Sequence, residues 1–339
     1  MIAERLTSQL ISGPPARDPV AVAERLLAIQ GQDPRGARLA VRARTKGLTA
    51  ADVDRALTVD RTLLITWLNR GTLHLVRSED YPWLHALTTP PLLTANARRL
   101  AQLGVTQHAA DRGAALIERS LAEEGPLTSK QVRERLQAAK VRAEGQALAH
   151  IVGLAALRGV LVRGPMVGKQ HAYVLARDWL GTAPPVDRDK ALAELARRYL
   201  VGHGPADDRD LAKWAGLALR DVRAGLAAIA PELEQLAGTP LRLKKAPPAA
   251  DLPPPRLLGA FDPVLLGWTS RQEIVGSHAR LIADNGLFRP FALVRGRAVG
   301  TWSLQAGEVK LVPFGRLSRP DAEALEADAA DVVHFLASS

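Results

Sequence analysis

The residues with the strongest claim to chemistry lie near the start of the sequence. Gln30 and Gln32, separated only by Gly31, end the apolar helical pattern PVAVAERLLAIQ. Asp33-Pro34 then restarts a helix, with Asp33 as N-cap and Pro34 at the first helical position, where its missing N–H costs nothing. Amide side chains donate and accept hydrogen bonds without titrating, so paired glutamines can orient a polar group at any pH. Arg35, Arg38 and Arg42 follow at spacings of three and four, hence on one helical face, and Arg44 and Lys46 extend the run. No acidic residue falls between Pro34 and Lys46. Guanidinium groups grip phosphate with a planar, two-pronged donor set, so this stripe reads as an anion-binding face. A second cluster is TWLNRGTLHLV, where Arg70, Thr72 and His74 alternate with Gly71, Leu73 and Leu75. A strand there would present all three on one face. Each feature also has a plainer reading: a capped or solvated helix end, a solvated arginine face, a structural histidine.

The elements that must position these residues follow from periodicity and breakers. The clearest boundary is APPAADLPPPR at 246–256, where five prolines fall between Pro247 and Pro255 and exclude helix and central strand. A smaller break is GTAPPVD, Gly181 to Asp187. In between lies a near-repeat. The helical pattern AALIERSLAEE reaches the Gly125-Pro126 turn, and Thr128 or Ser129 can cap SKQVRERLQAAK. A third helix spans roughly Gln146 to Arg158, and two alternating β segments then surround Gly164-Pro165. Three helices followed by a two-stranded ribbon is the plan of a winged helix-turn-helix. The order returns with KALAELARRYLV, a Gly204-Pro205 turn 79 residues after the first, a cap at Asp207 or Asp208, and the strand TPLRLKK. Around the first cluster, helices near 34–45 and 50–57 and a strand entering a Ser78-capped helix are expected. The C-terminal strands LLGAFDPVLLGW, RPFALVRGRAVGTWSL and EVKLVPFG read as a small β-barrel or half-barrel, closed by an acidic helix from Pro320 to Leu336.

The expected fold class is therefore mixed α/β (α+β), with tandem winged helix-turn-helix modules followed by a C-terminal β-barrel-like domain. The divisions fall at 1–110, carrying the Gln-x-Gln motif, 111–183, 188–245 and 256–339.

The bulk numbers agree with a nucleic-acid partner. In 339 residues the net charge is +10, and 36 of 45 basic residues are Arg. Such a balance favours a polyanion, although a GC-rich genome gives the same arginine bias. From Gly125 to Arg177 there are nine basic residues and two acidic ones, so Lys130, Arg133, Arg163 and Lys169 are candidate backbone contacts beside Arg35, Arg38, Arg42 and Arg44. From Leu317 to Ser339 five acidic residues meet one Arg, so that segment should face away from DNA. The helix QALAHIVGLAALR offers only Gln146, His150 and Arg158 as polar groups, too few to read base edges. With no cysteine, disulfides and thiolate chemistry are excluded. The eight histidines are scattered without HExxH spacing, and no Walker-type glycine loop occurs, so neither metal nor cofactor is expected. Without a signal-like N-terminus or a run of ~20 apolar residues, the expected setting is cytoplasmic, off the membrane and monomeric.

LLAIQGQDPRGARLAVRAR, TWLNRGTLHLV, LLGAFDPVLLGW and VRGRAVGTW together resemble the AlkZ/YcaQ-like DNA glycosylases, with motifs strongest at 24–46, 62–85 and 257–302. The resemblance implies three winged-helix modules and a C-terminal β-barrel around a concave DNA surface. It implies Gln30 and Gln32 as the catalytic Gln-x-Gln pair, here with Gly31 in place of a bulkier apolar residue. Asp33, Arg70, Thr72 and His74 would then stand near a lesion pocket. Two amides can hold a water through one acceptor and one donor for attack on an oxocarbenium-like sugar. An N7-alkylated purine leaves without a strong acid because it already carries positive charge. Without a lysine near the motif except Lys46, the expected enzyme is a monofunctional glycosylase acting on damaged double-stranded DNA, with bulky adducts or interstrand crosslinks as implied substrates. Two other readings remain open: a non-enzymatic winged-helix transcription regulator, and a scaffold using the β domain as its platform.

Overall fold

The structure is a computed structural model that describes residues 1–167, 170–238, 240–278, 281 and 287–337. It is mixed α/β with antiparallel sheets, and the chain divides into two compact units, 55–191 and a second made of 1–54 with 192–339. No described helix is long and apolar enough to cross a membrane.

The 55–191 unit is built on strands Leu63–Leu68, Thr72–Arg77, Leu161–Val167 and Gln170–Leu175. The first two form a hairpin in the register Leu63↔Arg77, Thr66↔His74 and Leu68↔Thr72. Ile65 pairs with Arg163 of the third strand, which pairs antiparallel with the fourth. Gly164-Pro165 does not form the turn of that second hairpin. It lies inside Leu161–Val167, where the register shifts between Arg163 and Met166, as expected of a strand interrupted by a residue with no N–H.

Helices Gln107–Glu124, Ser129–Ala138 and Gln146–Leu157 complete the core of this unit. Thr128 caps the second through a reciprocal box with Gln131. The nearly apolar 146–157 helix is core: Ile151, Val152, Leu154 and Ala155 sit among Ile117, Leu121, Leu136 and Leu161. Burying a Leu or Ile of this kind stabilises by roughly 1.5–3 kcal/mol. Its composition reflects enclosure of its Ile151–Leu157 stretch rather than a surface for reading bases.

The other unit contains helices Pro19–Leu26, Pro34–Arg42, Asp208–Ala215 and Leu219–Ala228, and the short hairpin Leu233–Gln235 with Leu241–Leu243. Asp207 supplies the cap of the 208–215 helix, boxed with Asp210. Its main sheet runs in the order Glu308–Pro313, Arg297–Gln305, Phe291–Val294, Arg256–Leu258, each neighbouring pair antiparallel. Of the expected barrel or half-barrel, the closed form is corrected: among the described residues this sheet is open and four-stranded. Helix Arg319–Ala337 covers strand Arg256–Leu258, where Asp328 accepts the Leu257 amide at 2.7 Å.

Candidate active site

The Gln-x-Gln motif lies between two short helices whose ends the sequence specifies. Helix Pro19–Leu26 stops at Leu27, whose φ of 63° takes the chain out of helical geometry. Ile29–Gln30 is extended, and helix Pro34–Arg42 begins four residues later. Asp33 caps it: one carboxylate oxygen accepts from the Arg35 amide at 2.9 Å and the Gly36 amide at 3.1 Å. Gln30 is 8% exposed, whereas Gln32 is open to solvent. The pair thus offers one enclosed amide and one accessible amide.

What fixes this helix is its backbone contact and its arginines. A Cβ on Gly36 would stand 2.4 Å from the Ala260 carbonyl oxygen, so only glycine lets the helix sit against the Gly259-Ala260 turn. Arg38 donates to Asp54 and, at 2.9 Å, to the Pro34 carbonyl. Arg42 binds Asp331 at 2.8 Å, Asp328, and the Leu257 carbonyl at 3.0 Å. Arg44 is fully enclosed, with both Nη atoms on Asp262 at 2.8 and 2.9 Å and the rest of its donors on Gln9 and the Ala40 carbonyl.

These three guanidiniums are therefore not a DNA-facing stripe, and the sequence expectation is corrected for Arg38, Arg42 and Arg44. Each is under a tenth exposed and is met by carboxylates from distant segments. Only Arg35 of the four stays on the surface. The acidic 319–337 helix, expected to face away from DNA, supplies two of those carboxylates.

In the 55–191 unit, TWLNRGTLHLV is a hairpin rather than one strand. Asn69–Gly71 is a tight turn with φ of 58° at Arg70 and 76° at Gly71, so Arg70 belongs to the turn, while Thr72 and His74 share a strand face. His74 is 2% exposed, and its Nδ1 lies 3.0 Å from the Thr72 carbonyl, which fixes Nδ1–H as donor and leaves Nε2 as acceptor. Burial first, and then the Arg70 charge, push its pKa down to about 3, so the imidazole is neutral near pH 7. Two neighbours went unnoticed in the sequence. Thr66, opposite His74, keeps its hydroxyl unpaired, and Asn69, fully buried in the turn, has no partner for either amide atom. Their only sequence signal was a polar residue within an apolar strand and its turn.

The other basic candidates separate by exposure. Lys130 and Arg133 project from helix Ser129–Ala138 into solvent. Arg163 is half-buried, lies over the Trp67 ring at 5.8 Å with a buried, unpartnered Nε, and has its pKa lowered by burial. Lys169 lies outside the described residues. Among those described, no group of three or more His, Asp or Glu side chains could hold a metal.

The family model of AlkZ-like DNA glycosylases matches residues 23–335. The chain belongs to that family. It is thus a DNA glycosylase, a hydrolase of N-glycosyl bonds, rather than a regulator or scaffold. Among its AlkZ-like relatives is an interstrand DNA cross-link repair glycosylase from Streptomyces sahachiroi, 29% identical over 345 residues, which span 92% of this chain and 89% of the relative. The solved structure of the Streptomyces sahachiroi DNA glycosylase AlkZ shares the fold, with a TM-score of 0.80 at 24% identity, covering 98% of this chain and 95% of that one.

Proposed function

We propose that this AlkZ-like enzyme hydrolyses the N-glycosidic bond of N7-alkylated purines in damaged double-stranded DNA, including bulky adducts and interstrand crosslinks such as those named for its Streptomyces relative. Gln30 and Gln32 are the catalytic pair, which together hold the attacking water against the sugar's anomeric carbon. The observation that carries this reading is the pairing of an enclosed Gln30 with an open Gln32 just ahead of a rigidly anchored helix.

The local chemistry is consistent with a leaving group that needs no acid. Asp33 is engaged as a helix cap, and His74 is neutral at physiological pH, so neither is set up to protonate a base there. A purine already cationic at N7 departs without that help. Asp33, Arg70, Thr72 and His74 belong to our reading of the lesion surroundings. With no lysine nearer to the glutamines in the sequence than Lys46, the product is an abasic site and no Schiff base forms. The 1–110, 111–183 and 188–245 segments act as winged helix-turn-helix modules, and Arg35, Lys130 and Arg133 contact the phosphate backbone. The modules divide as 1–110, 111–183 and 188–245 ahead of the 256–339 β domain, and the enzyme acts as a monomer in the cytoplasm.

The test is incubation with duplex DNA carrying N7-alkylguanine, followed by hot alkali. Wild type should yield strand breaks at the adduct, and Gln30→Ala/Gln32→Ala should not. Breaks undiminished in the double variant would remove the glutamines from the mechanism. Intact DNA across a panel of N7 adducts and crosslinks would refute the substrate assignment.

A further inference from the structure

A cavity of about 650 Å³ lies wholly within the unit of 1–54 and 192–339, among residues to which the glycosylase chemistry assigns no role. Its walls are Leu10, Pro14 and Pro15, Ala21 of helix Pro19–Leu26, Val201 near the end of helix Arg188–His203, and Pro247. Three prolines of fixed φ, and a size within the roughly 300–1,000 Å³ of small-molecule pockets, make it a preformed and mainly apolar site.

Two backbone features set its shape. Gly202 follows Val201, and a Cβ there would run into the Arg25 carbonyl oxygen, so the two helices meet in backbone contact beside the cavity. Leu10 has φ of 57°, a conformation in which glycine is usual. The Ile11 and Ser12 amides both donate to the Leu6 carbonyl, at 2.9 and 3.2 Å, and close the turn around it. A leucine held in that strained position keeps a half-buried isobutyl group on the cavity wall.

The charge in this lining is selective. Arg198 is engaged: it donates to the Glu24 carbonyl at 2.7 Å and stands 3.9 Å from Glu194. Arg25 is different. It is half-buried, and its guanidinium meets no acceptor among the described residues. Nor does it belong to the polar groups sealed from solvent without a partner, so its donors are open at the wall it forms. Burial holds its pKa below the ordinary arginine value, an effect that the Glu24 charge only partly offsets. A cation partly stripped of water and lacking a counter-charge is destabilising, and an anion seated beside it offsets that penalty.

We propose that this cavity binds a small carboxylic acid with an apolar chain or ring, its carboxylate on Arg25. One unpaired guanidinium balances one negative charge, and the exposed Glu24 in the same lining repels a second. A planar carboxylate fits the two-pronged fork of Arg25, while the apolar remainder covers the leucine, valine and proline walls. A phosphate dianion, or a run of DNA phosphates, would crowd Glu24. The assignment does not depend on the role of Gln30 and Gln32.

The test uses the full chain with octanoate, octanol and octyl phosphate as separate probes, each below its aggregation threshold, followed by calorimetry and by the melting midpoint. Octanoate should bind saturably and raise the midpoint, with octanol and octyl phosphate each at least roughly ten-fold weaker. Arg25→Gln should weaken octanoate by roughly ten-fold or more and leave octanol unchanged, because it removes one charge-assisted pair. That replacement breaks no described side-chain hydrogen bond, so its fold is not at issue. Ala21→Phe, which fills the cavity from helix Pro19–Leu26, should abolish binding of acid and alcohol alike, with circular dichroism reporting its fold. Arg319→Gln, at a side chain 90% exposed in the same unit, should bind octanoate like wild type. Absence of saturable octanoate binding, equal affinity for octanol, octyl phosphate binding as tightly as octanoate, or unchanged octanoate affinity in Arg25→Gln or in a folded Ala21→Phe would overturn the proposal.

Discussion

Replacing Arg44 by Ala separates two roles that its sequence position leaves indistinguishable. If Arg44 gripped a phosphate, its loss would weaken DNA binding and leave folding unchanged. In the structure, Arg44 and Asp262 are both fully buried, and every guanidinium donor is used. The alanine variant strands the Asp262 carboxylate in the interior with only the Val264 amide, at 2.9 Å, among the contacts that survive. Removing one partner of such a pair costs about 3–5 kcal/mol, well above the ~0–1 kcal/mol of an exposed pair. The melting midpoint should fall by on the order of 10 °C. Arg44→Lys should recover little, because an ammonium cannot replace a two-pronged fork reaching both Asp262 and Gln9. Urea denaturation monitored by circular dichroism measures the difference, alongside DNA affinity at several salt concentrations. An Arg44→Ala protein within about 0.5 kcal/mol of wild type, but with a shallower salt dependence of binding, would refute the reasoning.

Other outcomes follow from particular contacts. Gly36→Ala should destabilise by roughly 1–3 kcal/mol despite alanine's better helix propensity, because its Cβ meets the Ala260 oxygen at 2.4 Å; a stabilised variant in the same denaturation assay would contradict that packing. Gln32→Ala should lower glycosylase turnover by about 10²-fold or more while leaving the melting midpoint near wild type, as measured by single-turnover base release. Lys130→Ala and Arg133→Ala should each reduce the slope of log binding constant against log salt by about one if they contact phosphates, and an unchanged slope would take them off the interface. Buried His74 and His203 both have pKa values lowered to about 3, so the unfolded chain binds more protons between that value and about 6.5. Their contribution is complete above pH 6.5 and is lost as pH falls towards 3. Denaturant midpoints should drop through that window, and His203→Gln should flatten the drop.

Local grammar was legible in the sequence, and long-range pairing was not. Asp33-Pro34, Thr128 or Ser129, and Asp207 or Asp208 announce helix starts through side chains within a few residues, and the helices begin there, capped by Asp33, Thr128 and Asp207. The Gln-x-Gln motif was visible for a similar reason, since its unusual composition is contiguous. The arginine run misled because its neutralising carboxylates, Asp54, Asp262, Asp328 and Asp331, lie 16 to 289 residues away. A charge pattern carries no record of partners that only folding brings close. Strand alternation likewise hid the Arg70-Gly71 turn, because a tight hairpin preserves the in-and-out rhythm on either side. The sequence left barrel and half-barrel equally open because inward alternation is common to closed and open sheets, and only strand order distinguishes them.

The clamp of Asp328 and Asp331 on Arg42 also has a temporal meaning. During synthesis the glutamines emerge early, but the acidic helix that locks the neighbouring helix follows nearly 300 residues later. Until then Arg42 lacks both carboxylates, and the platform beneath the motif is unfinished. A ribosome-bound chain halted at Ser318 should therefore melt less cooperatively and cleave no adduct, although it carries every residue of the motif. The order of translation thus delays an activity that breaks bonds in the genome until the body of the enzyme is present.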